Sequence, residues 1–182
     1  MDKINKHFTS EYMAKRLHLI WRGPIVCQII KELLKPKSVI DFGCSVGDLV
    51  KGFIEIGVNA IGVDGSEGAR EHFIAPAENF ILHDLTKPLY KIKADLLVSF
   101  EIYFLLIPDE RIKFVKNVGR CCNRALISAP VELQEGLLKA MRLQNFYQVL
   151  MPTKKLQDNL EDIKHKAAVK GIYHNTMYFE RA

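Results

Sequence analysis

The chain has 182 residues, of which 48% are hydrophobic and 26% are charged, and its formal net charge is +5. This length suffices for one substantial core but not for two ordinary domains with a linker, so we expect a single domain over residues 1–182. The balance of apolar and charged residues excludes a disordered or fibrous chain.

The N-terminal residues 1–35 are predicted to form helices that lead into the core. Apolar positions recur at helical spacing over residues 10–34 and are interrupted by Gly23 and Pro24. This pattern predicts two helices, or one helix with a kink at this dipeptide. Tyr12, Arg16 and Trp21 lie in this region, and we treat them, with Arg22, as candidates for a role near a ligand.

Residues 36–182 are predicted to form a core in which strands alternate with helices. The predicted strands cover residues 38–42, 59–63, 80–82, 94–100 and 124–129, and the predicted helices cover residues 49–56, 66–73 and 109–118. Such alternation is typical of a parallel sheet covered by helices on both faces. We therefore expect an α/β fold, a three-layer sandwich around a mostly parallel sheet of six to seven strands.

The sequence after Pro130 predicts further elements less sharply. We expect a helix over residues 133–143, a strand or core segment over 146–150, an amphipathic helix over 153–169 and a final strand over 172–179. Lysines between positions 154 and 170 could attract an anionic partner such as nucleic acid. Acidic residues lie among them, however, and this mixture favours a solvated helix face.

Four loops place polar residues at the carboxyl ends of the predicted strands, and they cover residues 41–47, 64–66, 83–85 and 99–103. Ligands of open parallel sheets bind at this edge, where helix starts present free backbone amides. Gly43 and Gly47 permit a sharp turn and a close approach of a ligand to the backbone. Asp64 follows Gly43 by 21 residues, close to the roughly 20-residue spacing that brings a carboxylate to ribose hydroxyls. We expect the glycine turn after the first strand and the Asp64 carboxylate to converge on one nucleoside.

The first of these loops resembles motif I of the class I S-adenosylmethionine-dependent methyltransferases, with the sequence VIDFGCSVGDL. The next strand end resembles their acidic second motif, with the sequence IGVDGS. The later segments HDLTKPL, ADLLVSFEIYFLLIP and ALISAP follow in the same order, so the resemblance covers residues 38–130. It implies a Rossmann-like fold, methyl transfer as the activity, S-adenosylmethionine as the cofactor and S-adenosylhomocysteine as the product.

The resemblance also implies which residues bind the cofactor. They are Asp41, Gly43, Cys44, Ser45, Gly47, Asp64, Gly65, Ser66, Asp84, Leu85, Phe100 and Glu101. The backbone of the glycine loop would meet the methionine and the sugar, and Asp64 would hold the ribose hydroxyls. The adenine would lie among Gly65, Ser66, Asp84 and Leu85. Phe100 would lie near the sulfonium, and Glu101 would orient the methionine ammonium.

Two positions depart from the family pattern. Ser45 replaces the middle glycine of motif I, a small substitution that should be tolerated if its backbone torsions are ordinary. After Glu101, many relatives carry an acidic residue and a histidine, whereas this chain continues with Tyr103 and Phe104. No catalytic base is therefore assigned, and a non-catalytic module that binds the cofactor or a partner remains the alternative. The acceptor, whether small molecule, nucleic acid or protein, stays open.

Other classes of function fit the sequence less well. The segment 43–47 also matches the G-x-S-x-G turn of serine hydrolases, but no convincing aspartate and histidine follow later strands. A nicotinamide-dependent reductase would want G-x-G-x-x-G, which is missing. The histidines and cysteines lack the spacing of metal sites, so no metal is expected. Residues 94–108 are too short an apolar run to cross a membrane, and we expect a cytoplasmic protein without a membrane partner.

Overall fold

The computed structural model describes residues 2–149 and 176–182. Its strands are β1 Ser38–Phe42, β2 Asn59–Asp64, β3 Phe80–Leu82, β4 Leu96–Ser99, β5 Arg124–Ser128, β6 Phe146–Val149 and β7 Thr176–Arg181. Its α-helices are α1 Asp2–His7, α2 Ser10–Arg16, α3 Arg22–Leu34, α4 Asp48–Glu55, α5 Glu67–Glu71, α6 Pro108–Cys121 and α7 Val131–Arg142. The helix expected over residues 153–169 lies outside the described residues, as does the start of the final strand expected from residue 172.

The seven strands form one sheet in the order β3-β2-β1-β4-β5-β7-β6. Strands β1 to β5 pair in parallel, whereas β7 is antiparallel to both of its neighbours. The predicted α/β fold with a mostly parallel sheet is thereby confirmed. Because β1 lies between β2 and β4, the chain crosses from one half of the sheet to the other beside β1. Ligands of such sheets bind at this switch point, beyond the carboxyl ends of the strands.

Alternating side chains of the central strands divide the core into two apolar clusters, one on each face of the sheet. Ile40 and Phe42 of β1 point to the face covered by α6, where the Phe42 and Phe114 rings lie 5.9 Å apart. Val39 points to the opposite face and packs in the cluster that contains Phe53 of α4. Helices on both faces give the expected three layers.

Helices α3 and α4 approach each other closely because small residues lie between them. A Cβ atom on Gly23 would overlap the carbonyl group of Asp48, and one on Gly52 would lie 2.9 Å from the Cys27 sulfur. The first turn of α4, which follows the glycine loop, is therefore fixed by direct backbone contact with α3.

The predicted break in the N-terminal helices at Gly23 and Pro24 is wrong. The helical path is interrupted earlier, at a short 3₁₀ turn over Leu17–Leu19, and α3 begins at Arg22. Pro24 lies in the first turn of α3, where a backbone N–H has no partner within the helix, so proline is tolerated there. Among the described residues, no helix is long and apolar enough to cross a bilayer.

Candidate functional site

A cavity of about 570 Å³ opens at the carboxyl edge of the sheet, beside the switch point. Two-thirds of the residues that we expected to bind a cofactor line it, namely Gly43, Ser45, Asp64, Gly65, Asp84, Leu85, Phe100 and Glu101. The other four lie beneath it or beside it. The structure thus brings residues of all four predicted loops together around one space.

Asp64 joins the two loops that begin the site. One carboxylate oxygen accepts the Ser45 N–H and the other accepts the Ser66 N–H, each at 2.9 Å. The residue is only 8% exposed, and burial raises the pKa of its carboxyl group, while the hydrogen bonds from the loop amides act in the opposite direction. Each carboxylate oxygen keeps a second acceptor position, so the group can still receive hydroxyl donors from the cavity.

The two glycines of the first loop have different neighbours. Gly43 and Gly47 both have positive φ, at 79° and 82°, which side chains rarely tolerate. A Cβ atom on Gly43 would overlap Ile102 of the cavity wall, whereas one on Gly47 would overlap the ring of Phe73. Gly47 does not line the cavity. The space that its missing side chain leaves is filled by Phe73, not left for a ligand.

Ser45 also adopts a left-handed conformation, with φ of 51°. The condition on which the substitution should be tolerated, ordinary backbone torsions, is therefore not met, and serine occupies a position that favours glycine. Its hydroxyl donates to the Met13 sulfur at 3.3 Å. This contact ties the glycine loop to α2 and offers no histidine partner of the kind that a serine hydrolase needs.

Asp41, Cys44 and Ser66 lie beneath the cavity and shape its floor. Burial, and then the charges of Asp48 and Asp64, raise the pKa of Asp41 well above its ordinary value. Cys44 is buried and packs beneath the loop on Gly62, where a Cβ atom would lie 2.6 Å from its sulfur.

The side chain of Ser66 is engaged in two hydrogen bonds within the protein. Its hydroxyl donates to the Phe8 carbonyl at 2.7 Å and accepts the Ala69 N–H at 3.1 Å, which caps α5. Ser66 is fully buried, so its backbone N–H, given to Asp64, is its contribution to the site.

Asp84 presents an ionised carboxylate at the end of β3. One of its oxygens accepts both the N–H and the hydroxyl of Thr86, at 2.9 and 2.7 Å. Burial acts to raise the pKa of Asp84, but the Thr86 hydrogen bonds and the Lys87 charge outweigh it and lower the pKa. Such a group suits an amino-group donor. The neighbouring His83 lies outside the cavity lining, and its ring meets the Lys87 carbonyl.

The end of β4 carries a second strained residue. Glu101 has φ of 61°, and its N–H donates to the Ser128 hydroxyl at 2.7 Å. This bond from the end of β5 holds Glu101 in a conformation that costs an ordinary residue free energy. Phe100 and Glu101 both line the cavity, whereas Tyr103 turns inward to pack against Phe114.

Helices α1 and α2 form a roof over the cavity, and most of the roof residues were not predicted from the sequence. Roof residues that line the cavity are Ile4, His7, Phe8, Tyr12, Met13 and Arg16. Tyr12 and Arg16 were candidates, but Trp21 and Arg22 lie outside the lining and stack on each other at 5.5 Å. The apolar roof residues share the helical spacing of any core-facing residue, so no signal in the sequence distinguished them.

Hydrogen bonds fasten the roof to the loop and helix after β2. The Glu67 N–H donates to the Asn5 side-chain oxygen at 2.9 Å, and the Ser10 hydroxyl lies 2.8 Å from the His72 ring. Over the part of the chain that the structure describes, no three His, Cys, Asp or Glu side chains are placed to hold a metal ion.

No protein-family model matches the chain, and no curated protein matches it either. Solved structures do match. A TehB-like S-adenosylmethionine-dependent methyltransferase from Corynebacterium glutamicum has a TM-score of 0.69 at 15% identity, covering 95% of this chain and 98% of that one. Magnesium protoporphyrin IX methyltransferase from Synechocystis has a TM-score of 0.63 at 15% identity, covering 94% and 84%.

A third similar structure is a putative methyltransferase from Haloferax volcanii in complex with the Trm112 activator. Its TM-score is 0.64 at 13% identity, covering 98% of this chain and 97% of that one. At such low identity the likeness concerns the fold. The chain has the Rossmann-like fold of the class I S-adenosylmethionine-dependent methyltransferases, as the motifs at residues 38–130 implied.

Proposed function

We propose that the chain binds S-adenosylmethionine in this cavity and transfers its methyl group to an acceptor. One observation carries the proposal: the Asp64 carboxylate joins the glycine loop to the start of α5 and lines the cavity there. A buried carboxylate so placed suits the two hydroxyls of a ribose. Solved methyltransferases with this fold are named for different acceptors, such as magnesium protoporphyrin IX and plantazolicin. The fold therefore does not identify the acceptor of this chain.

The residues around the cavity fit the parts of this cofactor. The Asp84 carboxylate suits the adenine amino group, and Leu85 offers an apolar surface to the ring. A Cβ atom on Gly65 would lie 2.7 Å from the end of the Ile4 side chain, so the roof packs closely against the backbone there. Glu101 provides a carboxylate for the methionine ammonium. Asp41, Cys44, Gly47 and Ser66 act on this site through the shape of the loops.

Methyl transfer requires the protein to align the acceptor with the methyl group more than it requires covalent catalysis. A bound sulfonium supplies an electrophilic methyl group that needs no activation by a metal or a nucleophilic side chain. This chain contributes a rigid loop at Gly43 and Ser45, a carboxylate at Glu101 and a roof that covers part of the cavity. Such positioning supplies much of the acceleration of a bimolecular transfer.

Titration calorimetry with S-adenosylhomocysteine, S-adenosylmethionine and NAD tests the proposal. We expect the first two to bind and NAD not to bind. Asp64→Ala should weaken S-adenosylhomocysteine binding by more than about tenfold, because hydrogen bonds to a charged group contribute roughly 1.5–3 kcal/mol. Glu135→Ala is the control, because Glu135 is exposed and pairs with Lys139 on α7. Equal affinities for wild type and Asp64→Ala would contradict the assignment.

A module that holds the cofactor without turnover is the second candidate. It is favoured by the segment after Glu101, where apolar residues stand in place of the acidic residue and histidine of many relatives. Release of S-adenosylhomocysteine and mass-spectrometric detection of a methylated product separate the two. Binding without any product across acceptor classes would support the module.

A further inference from the structure

The part of the cavity wall away from the glycine loop is formed by apolar side chains. The segment between β4 and α6 contributes Ile102, Phe104, Leu105 and Leu106. The roof faces this segment with Ile4, Phe8, Tyr12 and Met13. If the cofactor occupies the space beside Asp64 and Asp84, these two apolar surfaces border the place that an acceptor must enter.

Several of these side chains are exposed to water where the cavity opens. Tyr12, Phe104 and Leu105 are 42%, 44% and 45% exposed, and Ile107 beside them is exposed as well. A cluster of large hydrophobic side chains at the opening of a cavity is typical of a ligand-binding site. The opening therefore offers apolar area that a ligand can cover.

The roof limits the size of what can reach the sulfonium. Helices α1 and α2 are held over the cavity by Asn5, Phe8 and Ser10, which bond to Glu67, Ser66 and His72. A volume of about 570 Å³ lies within the roughly 300–1,000 Å³ of small-molecule sites, and a cofactor must share it. A folded protein or a duplex does not fit beneath this roof.

The charge around the cavity does not suit a polyanion. Of the described residues that line it, Arg16 is the one lysine or arginine, whereas four carboxylates line it at Asp64, Asp84, Glu101 and Glu110. Glu110 is held in place by the Ile107 N–H, which donates to it at 3.1 Å. Because Asp64, Asp84 and Glu101 are assigned to the cofactor, the wall left to an acceptor has one charge of each sign, at Arg16 and Glu110. Nucleic-acid sites depend on several lysine and arginine contacts to phosphates, which this lining does not offer.

We propose that the acceptor is a small, uncharged, lipophilic molecule whose apolar body contacts Tyr12, Phe104 and Leu105. This inference rests on the proposed methyltransferase function and specifies its substrate class. In the reaction, a lone pair of the acceptor forms a bond to the methyl carbon. The carbon–sulfur bond breaks with its electron pair left on sulfur, and the proton of the acceptor passes to water.

The test is a fluorescence titration with the neutral apolar dye N-phenyl-1-naphthylamine, on protein saturated with S-adenosylhomocysteine. The dye should bind, and 1-alkanols from butanol to octanol should displace it. Alkanol affinity should rise about fourfold with each added methylene group, because burial of one methylene group contributes about 0.8 kcal/mol of binding free energy. A flat dependence on chain length would overturn the inference.

Variants locate the dye. Phe104→Ser and Leu105→Ser should each weaken dye binding at least about fivefold, while affinity for S-adenosylhomocysteine stays within about twofold, which also shows that the variants fold. Tyr90→Ser is the matched control, because Tyr90 is 66% exposed, stacks on Arg120 and lies outside the cavity lining. Equal losses in all three variants would contradict the proposed surface.

The outcomes separate this inference from the function on which it rests. If S-adenosylhomocysteine does not bind, the proposed function fails. If it binds but the dye does not, or if Phe104→Ser leaves the dye affinity unchanged, only the acceptor class is wrong. Displacement of the dye by single-stranded RNA, but not by alkanols, would assign a nucleic-acid acceptor and overturn the inference.

Discussion

Single residues set the geometry of the glycine loop, and Asp64 has the largest part in it. Because its oxygens accept the N–H groups of both Ser45 and Ser66, the carboxylate orders two loops before any ligand arrives. A ligand that binds there finds acceptors already in place, so it loses little free energy to ordering of the protein. The same arrangement gives Asp64 a structural role beside the cofactor-binding role that we propose for it.

Ser45 allows a test of backbone strain in this loop. Relief of the left-handed conformation in Ser45→Gly gains about 1–2 kcal/mol, offset by about 0.5–1 kcal/mol of glycine entropy. We expect the free energy of unfolding, measured in urea, to stay equal or rise by up to about 1 kcal/mol. Ser45→Val should lower it by at least about 1 kcal/mol, because a β-branched residue fits positive φ poorly.

The control for this series is Ser45→Ala, which removes the hydroxyl contact to Met13 but keeps the strain. A glycine variant that is less stable than the alanine variant would show that the left-handed conformation carries no strain at this position.

Asp41 and Asp84 should respond to pH with opposite signs. The pKa of Asp41 is raised above 3.8 in the folded protein, so its stabilising contribution is present below that pH and is lost as pH rises through the folded pKa. Asp41→Asn should therefore gain stability relative to wild type as pH rises from about 4 to about 7. The pKa of Asp84 is lowered from 3.8, so its contribution is present above that pH and is lost in acid.

Asp84→Asn should consequently be less stable than wild type at neutral pH, and this difference should shrink as pH falls below about 4. Urea unfolding at several pH values measures both variants. A pH-independent difference for Asp41→Asn would contradict the raised pKa of Asp41.

At the level of helices and strands, the sequence-based predictions were most accurate where a local pattern is compatible with only one kind of element. Strands β1 and β3 have the predicted bounds, because short apolar segments flanked by turn residues leave no helical alternative. The helix break was wrongly predicted at Pro24, because proline is also common in the first turn of a helix, where it does not interrupt the helix. The insertion of β7 between β5 and β6 could not be predicted, since periodicity does not fix lateral strand order.

The site was predicted where local sequence patterns determine the position of a residue, and it was missed where tertiary packing determines it. Gly43 and Asp64 met as expected because strand ends of a parallel sheet converge. The roof was largely missed, because Ile4 and Phe8 reach the cavity through tertiary packing of α1. Gly47 matches the motif clearly, yet it does not line the cavity, because Phe73 fills the space beside it.

Two Gly-to-Ala changes, one at the contact between α3 and α4 and one on the surface of α7, should have opposite effects. Gly23→Ala should lower the free energy of unfolding by about 1–3 kcal/mol, because the added methyl group overlaps the Asp48 carbonyl. Gly136→Ala should raise it by about 0.5–1 kcal/mol, because Gly136 is exposed within α7 and has open space beside it. Urea denaturation measures both changes. A neutral Gly23→Ala variant would show that α3 can shift away from α4.

Over the whole molecule, cofactor binding should couple to folding stability. S-adenosylhomocysteine at 100 times its Kd should raise the free energy of unfolding by about 2.7 kcal/mol, since the ligand binds the folded state alone. The same concentration should have much less effect on Asp64→Ala. Differential scanning fluorimetry with increasing ligand measures the shift. An equal rise in Tm for both proteins would place the ligand away from Asp64.

The lateral position of β7 has a consequence for biosynthesis. Strand β6 precedes β7 in the chain, yet its sheet partner is β7, which lies between β6 and β5. A nascent polypeptide that has emerged from the ribosome only as far as β6 therefore lacks the strand that links β6 to the sheet, although the Phe146 ring of β6 is wholly buried once folding ends. Until β7 emerges, β5 is an open edge to which chaperones, or a second nascent chain, can add a strand.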